Sequence, residues 1–144
     1  RTGRHVTDET PAQDWKIEVV VIPVSDVDRA KRFYEVGCGF VVDLDHQATE
    51  TMRVVQLTPP GSACSISIGV GITDAEPGSV RGLQIVVADI DAARDQLLGR
   101  GVEAGPIRHF EDGAWHDGRG GPWNSFVTFS DPDGNGWILQ ERPA

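Results

Sequence analysis

The feature that most constrains this chain is that it says the same thing twice. Val24-Ser25-Asp26-Val27-Asp28-Arg29-Ala30 returns as Val87-Ala88-Asp89-Ile90-Asp91-Ala92-Ala93, with Asp89 lying 63 positions after Asp26. Each copy follows a β-branched run, sets an Asp where a helix N-cap belongs, and continues with apolar residues at helical spacing. The copies come back into line at Gly39-Phe40-Val41 and Gly101-Val102-Glu103 after a one-residue slip. A repeated strand and helix unit restricts the chain to architectures built from two like modules.

Taken in order, Ile17 to Val24 reads as a strand, since the run is too short for a buried helix and ends in Pro, Ser and Asp. Asp26 caps a helix through about Val36, with Val27, Ala30, Phe33 and Tyr34 on one face, and Gly37 to Gly39 stops it. Phe40 to Leu44 and Met52 to Thr58 read as strands joined by a polar connection, Asp45 to Thr51. Pro59-Pro60-Gly61 is a turn, and Cys64 to Gly69 alternates as a half-buried strand does. Glu76-Pro77-Gly78-Ser79 separates the halves. The pattern then restarts: a strand from Gly82 to Val87, a helix capped by Asp89 or Asp91 through Leu98, and a short strand from Val102 to about Ile107. A Gly-rich loop from Glu111 to Asn124 follows, then a hairpin of Ser125–Ser130 and Trp137–Glu141 around Asp131-Pro132-Asp133-Gly134-Asn135-Gly136. Each half is strand, helix, then three strands. The expected fold class is α+β, with tandem βαβββ modules forming a curved mixed sheet around a cleft. Residues 1–15 are expected to be a flexible tail, too polar for a signal peptide, and residues 16–141 a single domain of two modules, 16–75 and 80–141.

Thirteen Lys and Arg against 22 Asp and Glu give a net charge of −9, which repels nucleic acid and anionic lipid and favours cationic ligands. No apolar run reaches the roughly 20 residues of a membrane span. Cys38 and Cys64 match no metal-ligand or redox spacing, and a reducing cytoplasm is the expected setting.

This double βαβββ pattern, with Val-Ser-Asp-Val and Val-Ala-Asp-Ile opening the helices and Ser-Asp-Pro-Asp-Gly-Asn before the last strand, resembles the vicinal oxygen chelate superfamily over about Lys16 to Glu141. That superfamily holds glyoxalase I, extradiol dioxygenases, methylmalonyl-CoA epimerase, fosfomycin-resistance enzymes and bleomycin-resistance proteins. The resemblance implies a cavity-forming sheet and a homodimer. In the family's enzymes, four inner-strand positions commonly supply His, Glu or Gln to a divalent metal, and they correspond here to Val19, Gln56, Gly82 and Ile138. Three of the four carry no donor, and one neutral amide falls short of the three protein ligands a catalytic metal ordinarily takes. No metal and no cofactor are therefore expected.

Strand alternation puts Gln84 on the face of Gly82 and Gln140 on the face of Ile138, so both amides can look into the cleft with Gln56, Ser65 and Ser67. Such groups orient a ligand by hydrogen bonds and are poor acids, bases or metal ligands. Each can equally be an ordinary strand polar residue. His5, in the tail, and His46, in a polar stretch, carry no functional expectation. His109 and His116 flank Phe110-Glu111-Asp112-Gly113-Ala114-Trp115, and with Glu111 they are the candidate catalytic groups. Trp115 and Trp123 either pack on the protein or stack on a ligand, packing being favoured. Trp137, Phe33, Phe40 and Phe129 are expected in the core. The leading expectation is a metal-independent small-molecule-binding protein, drug-sequestering in the bleomycin-resistance manner. The alternative is a lyase, isomerase or oxygenase whose site has moved to Gln56, His109, His116 and Glu111.

Overall fold

The computed structural model describes residues 10–144, so the reading of His5 lies outside the described residues. The repeated Asp residues do the same work in both halves. Asp26 caps helix α1 (Val27–Arg32) by accepting from the Arg29 N–H, and Asp89 caps α2 (Ile90–Gly99) by accepting from the Ala92 N–H, both at 3.0 Å. Their backbones agree within a few degrees, φ −136° with ψ 105° against φ −137° with ψ 103°. The first helix differs from expectation after Arg32, where it widens into a π-helical turn, Phe33–Gly37. That turn carries Tyr34, fully buried, into the core.

The strands are β1 (Val19–Val21), β2 (Val41–Thr49), β3 (Met52–Thr58) and β4 (Ser65–Val70) in the first half. The second half supplies β5 (Leu83–Val87), β6 (Arg108–Glu111), β7 (Ala114–Asp117), β8 (Phe126–Ser130) and β9 (Gly136–Glu141). They form two mixed sheets, in the orders β1-β4-β3-β2 and β5-β9-β8-β6-β7. In each, the first strand runs parallel to the last of its module, Val19 beside Ser65 and Leu83 beside Trp137, and the other pairings are antiparallel. The second order repeats the first with one strand added at the edge.

Three local expectations are corrected. No strand forms at Val102 to Ile107; β6 begins at Arg108, and the first part of the anticipated loop is the β6–β7 hairpin. Its turn is Asp112-Gly113, both at positive φ (53° and 77°), the type I′ geometry whose twist matches that of the flanking strands. The polar connection Asp45 to Thr51 is largely strand, because β2 runs on to Thr49 against β3. The strand expected from Ile17 to Val24 is regular only over Val19–Val21.

One face of each sheet meets its helix, and these covered faces share a single apolar core. Ile22, Val55, Leu57, Ile66 and Ile68 from the first half join Val127, Phe129, Trp137 and Leu139 from the second. Phe40, Phe129 and Trp137 are buried as expected, and Phe33 packs against them. The opposite faces do not bury each other within the chain. They carry Val19, Val21 and Leu44 on one sheet and Val86, Phe110 and Trp115 on the other, all 37–49% exposed.

Candidate functional site

Register decides what each open face presents, since cross-strand partners point the same way and neighbours along a strand do not. On the first sheet Val19 pairs with Ser65, Gln56 with Ser67, and Leu44 with Gln56, so these side chains share the open face. Ser65 and Ser67 are buried between the adjoining strands, and the Ser65 hydroxyl is tied to Thr58 at 2.6 Å, which in turn bonds Asp43. The Gln56 side-chain amide makes no hydrogen bond among the described residues.

On the second sheet Gln84 pairs with Ile138, Val86 with Gln140, Gln140 with Phe126, Phe126 with Arg108 and Phe110 with Trp115. The aromatic residues form a chain across this face. Trp115 stands edge-on to Phe110 (5.3 Å between ring centres) and to Phe126 (5.4 Å), a favourable geometry for aromatic pairs. Gln84 donates to Gln140 at 2.5 Å, and Gln140 donates to the Trp123 carbonyl at 2.7 Å. Gln84, Gln140, Trp115 and Trp123 are thus brought together, while Gln56, Ser65 and Ser67 lie on the other sheet. Phe110 and Phe126 were missed in the sequence. Once Asp112-Gly113 is read as a hairpin turn, the Phe110 and Trp115 pairing follows from it.

The loop that carries Trp123 is held from several sides. Asn124 accepts from the Phe110 N–H and donates to its carbonyl, at 2.9 and 2.8 Å. The Arg119 guanidinium spans Asp91 and Glu141, and Glu141 also accepts from the Ile90 N–H. These partners hold the Glu141 carboxyl below its ordinary pKa, Arg119 foremost. Trp123 itself sits at φ 63° and is 51% exposed. An aromatic residue in that left-handed region is sterically strained, and such strain persists only where the surroundings impose it.

His109 and His116 occupy the other side of the β6–β7 hairpin from Phe110 and Trp115, with their rings stacked at 5.5 Å. His109 places Nδ1 2.8 Å from the Gly118 carbonyl and Nε2 3.1 Å from the Glu111 carboxylate. Both nitrogens therefore face acceptors, and only the doubly protonated ring can donate to both. The Gly118 carbonyl and then Glu111 raise its pKa accordingly. His116 Nε2 lies 3.1 Å from the Glu111 carbonyl. These three residues do not share a face with the aromatic chain or with Gln56.

A divalent metal does not fit the corresponding positions. Val19 and Ile138 present hydrocarbon to the open faces, and Gly82, at φ 79° just before β5, presents no side chain. Among the described residues no three His, Cys, Asp or Glu side chains converge as a metal site.

The sequence model of the Glyoxalase/Bleomycin resistance protein/Dioxygenase superfamily matches residues 16–139. The chain belongs to this superfamily. Among solved structures it is similar to TnmS3, an antibiotic binding protein from Streptomyces sp. CB03234, at 32% identity and TM-score 0.74, over 92% of this chain and 99% of that one. A glyoxalase/bleomycin resistance protein from the same strain matches at 32% identity and TM-score 0.69, over 87% and 99%. A superfamily member from Sphaerobacter thermophilus DSM 20745 matches at 30% identity and TM-score 0.72, over 90% and 98%. No curated protein matches the chain. Among the described residues no helix is long and apolar enough to cross a membrane.

Proposed function

We propose that this superfamily member is a metal-independent binding protein that sequesters a small cationic molecule with an aromatic body, as a homodimer in the cytoplasm. The observation that carries the reading is the open face of the second sheet. There Phe110 and Trp115 present half-exposed rings, with the partly buried Phe126 between Trp115 and the Gln84 and Gln140 amides, and Trp123 stands at the rim. Aromatic faces attract cations, a net charge of −9 steers them in, and neutral amides orient a ligand without proton chemistry. The name of TnmS3 as an antibiotic binding protein supports the binding of a small molecule.

The homodimer part of the proposal is supported by exposure. Each sheet leaves an apolar face in water, and covering one with the other from a second copy would bring Gln56, Ser65 and Ser67 opposite the aromatic chain and enclose a ligand between them. The two unpaired cysteines suit a reducing compartment.

Titration of the purified protein with bleomycin and with a planar aromatic cation, read by tryptophan fluorescence, tests the binding. Saturable quenching is expected, and its absence for every cationic aromatic compound tried sinks this ligand class. Elemental analysis of protein purified without chelator tests metal independence, which a near-stoichiometric divalent metal would overturn. Light scattering tests the dimer; a monomer at tens of micromolar would remove the second wall of the site.

A further inference from the structure

Between α2 and the β5 edge, where the two halves meet, they leave a largely apolar slot with a volume of about 290 Å³, at the small end of ligand pockets. Its walls include Phe40 from the first half and Ile85, Leu97, Phe129 and Leu139 from the second. At its mouth stands Arg100, which also lines an adjoining groove of about 270 Å³ together with Arg32, Phe33, Val36 and Val102. The guanidinium of Arg100 lies over Gly39, whose φ of 75° suits glycine. A Cβ there would come within 2.8 Å of Nη1, so the guanidinium lies close over the bare backbone of position 39.

The pairing of the arginines distinguishes this place from the rest of the surface. Arg29, Arg53, Arg108 and Arg119 meet carboxylates, and Arg81, Arg94 and Arg142 donate to carbonyls. Among the described arginines, only Arg32 and Arg100 have no acceptor for their side chains, in a chain with a large excess of carboxylates. Two unneutralised guanidinium groups therefore border one groove, and one of them, Arg100, also lines the slot, whose walls are mainly apolar with Gln96 and Cys38 among them. Cys38, on the slot wall, is a neutral thiol, its pKa pushed up to about 12 by burial, so it adds no competing negative charge.

We infer that this seam between the modules binds a small amphipathic anion, a medium-chain carboxylate, with its head group on Arg100 and Arg32 and its chain in the slot between Phe40, Leu97 and Leu139. Arginine suits this role because its planar fork matches a carboxylate bidentately. The site differs from the aromatic face in position and in ligand charge, so the two can be occupied independently.

The test is calorimetric titration with sodium octanoate, with 1-octanol as the uncharged counterpart, followed by amide chemical shifts. Octanoate is expected to bind saturably, at least tenfold more tightly than octanol, shifting the amides of Leu97, Gly101 and Leu139. Arg100→Gln should weaken octanoate tenfold or more, Arg32→Gln severalfold, and Arg100→Lys should recover part of the loss. Trp115→Ala should leave octanoate affinity unchanged. Equal binding of octanoate and octanol, no effect of Arg100→Gln, or loss of binding in Trp115→Ala would each overturn the inference. So would the absence of saturable binding by protein whose circular dichroism shows it folded.

Discussion

The Tyr34 hydroxyl donates to the Asp131 carboxylate at 2.8 Å, joining the end of the first helix to the turn before the last strand, 97 positions away. The same hydroxyl accepts from the Trp137 indole N–H at 2.9 Å. Asp131 is buried yet needs no cation, because it also accepts from the Asn135 amide and from the backbone N–H groups of Asp133 and Asn135. Asn135 in turn donates to the Pro23 carbonyl at 2.8 Å. Burial first, and then the neighbouring Asp131 charge, raise the Tyr34 pKa and keep the hydroxyl a donor at all ordinary pH values. Tyr34→Phe strands a buried indole donor and strips one donor from a buried carboxylate. It should therefore destabilise the protein by about 1–3 kcal/mol, read as a lower urea midpoint with unchanged slope.

The His109 ring should titrate above its ordinary value of about 6.5. A histidine whose pKa is raised on folding contributes stability that is complete below the unfolded value and is lost as pH rises through the folded one. His109→Gln should therefore cost stability at pH 5 and cost less at pH 9, where the native ring has lost its second proton. Chemical denaturation at both pH values, with an NMR titration of the imidazole, checks the sign.

Asp45 works in the opposite direction. Arg53 meets both of its oxygens, at 3.0 and 2.9 Å, and Lys31 lies 2.9 Å away, so these bonds hold its carboxyl below the usual carboxylate range. A carboxylate with a lowered pKa stabilises above the unfolded value, about 3.9, and that contribution disappears as pH falls through the folded one. Asp45→Asn should cost about 0.5–1 kcal/mol at neutral pH and low salt. The difference from wild type should shrink on acidification and on adding 1 M salt.

Much of the fold was legible because it rests on local chemistry stated twice. Asp26 and Asp89 cap their helices with the same bonds, and Ile66 and Ile68 alternate into the core as their spacing implies. The widening at Phe33–Gly37 was not legible, since it lies in a continuous helical pattern and local spacing carries no sign of Val102 from the other half, which stands where a side chain at position 37 would begin. Of the candidate site, the grouping of Gln84 with Gln140 followed from strand periodicity. The separation of His109 and His116 from Trp115 did not, because it depends on a hairpin that was read as a loop; with Asp112-Gly113 taken as a type I′ turn, the alternation places them on opposite faces.

Trp115→Ala removes the central ring of the aromatic chain, leaving Phe110 and Phe126 without their shared edge contact. Losing a cation–aromatic contact of about 0.5–2 kcal/mol should weaken a planar aromatic cation severalfold or more. The side chain is half exposed, so the stability cost should be modest. Competition against unlabelled ligand, using a fluorescent cation, measures the first; thermal denaturation measures the second.

Trp123 separates the packing reading of a loop tryptophan from the binding one. Its φ of 63° costs a residue with a Cβ roughly 1–2 kcal/mol that glycine avoids, while glycine adds unfolded-chain freedom of about 0.5–1 kcal/mol. With the side chain 51% exposed, little packing is lost, so Trp123→Gly should leave stability within about 1 kcal/mol of wild type. The bond from Gln140 to the residue 123 carbonyl survives the change, and the loop stays in place. Ligand affinity should nevertheless fall severalfold, because the rim of the aromatic face is gone. A tryptophan present only for packing would give the reverse result: a loss of more than about 2 kcal/mol in stability with affinity unchanged.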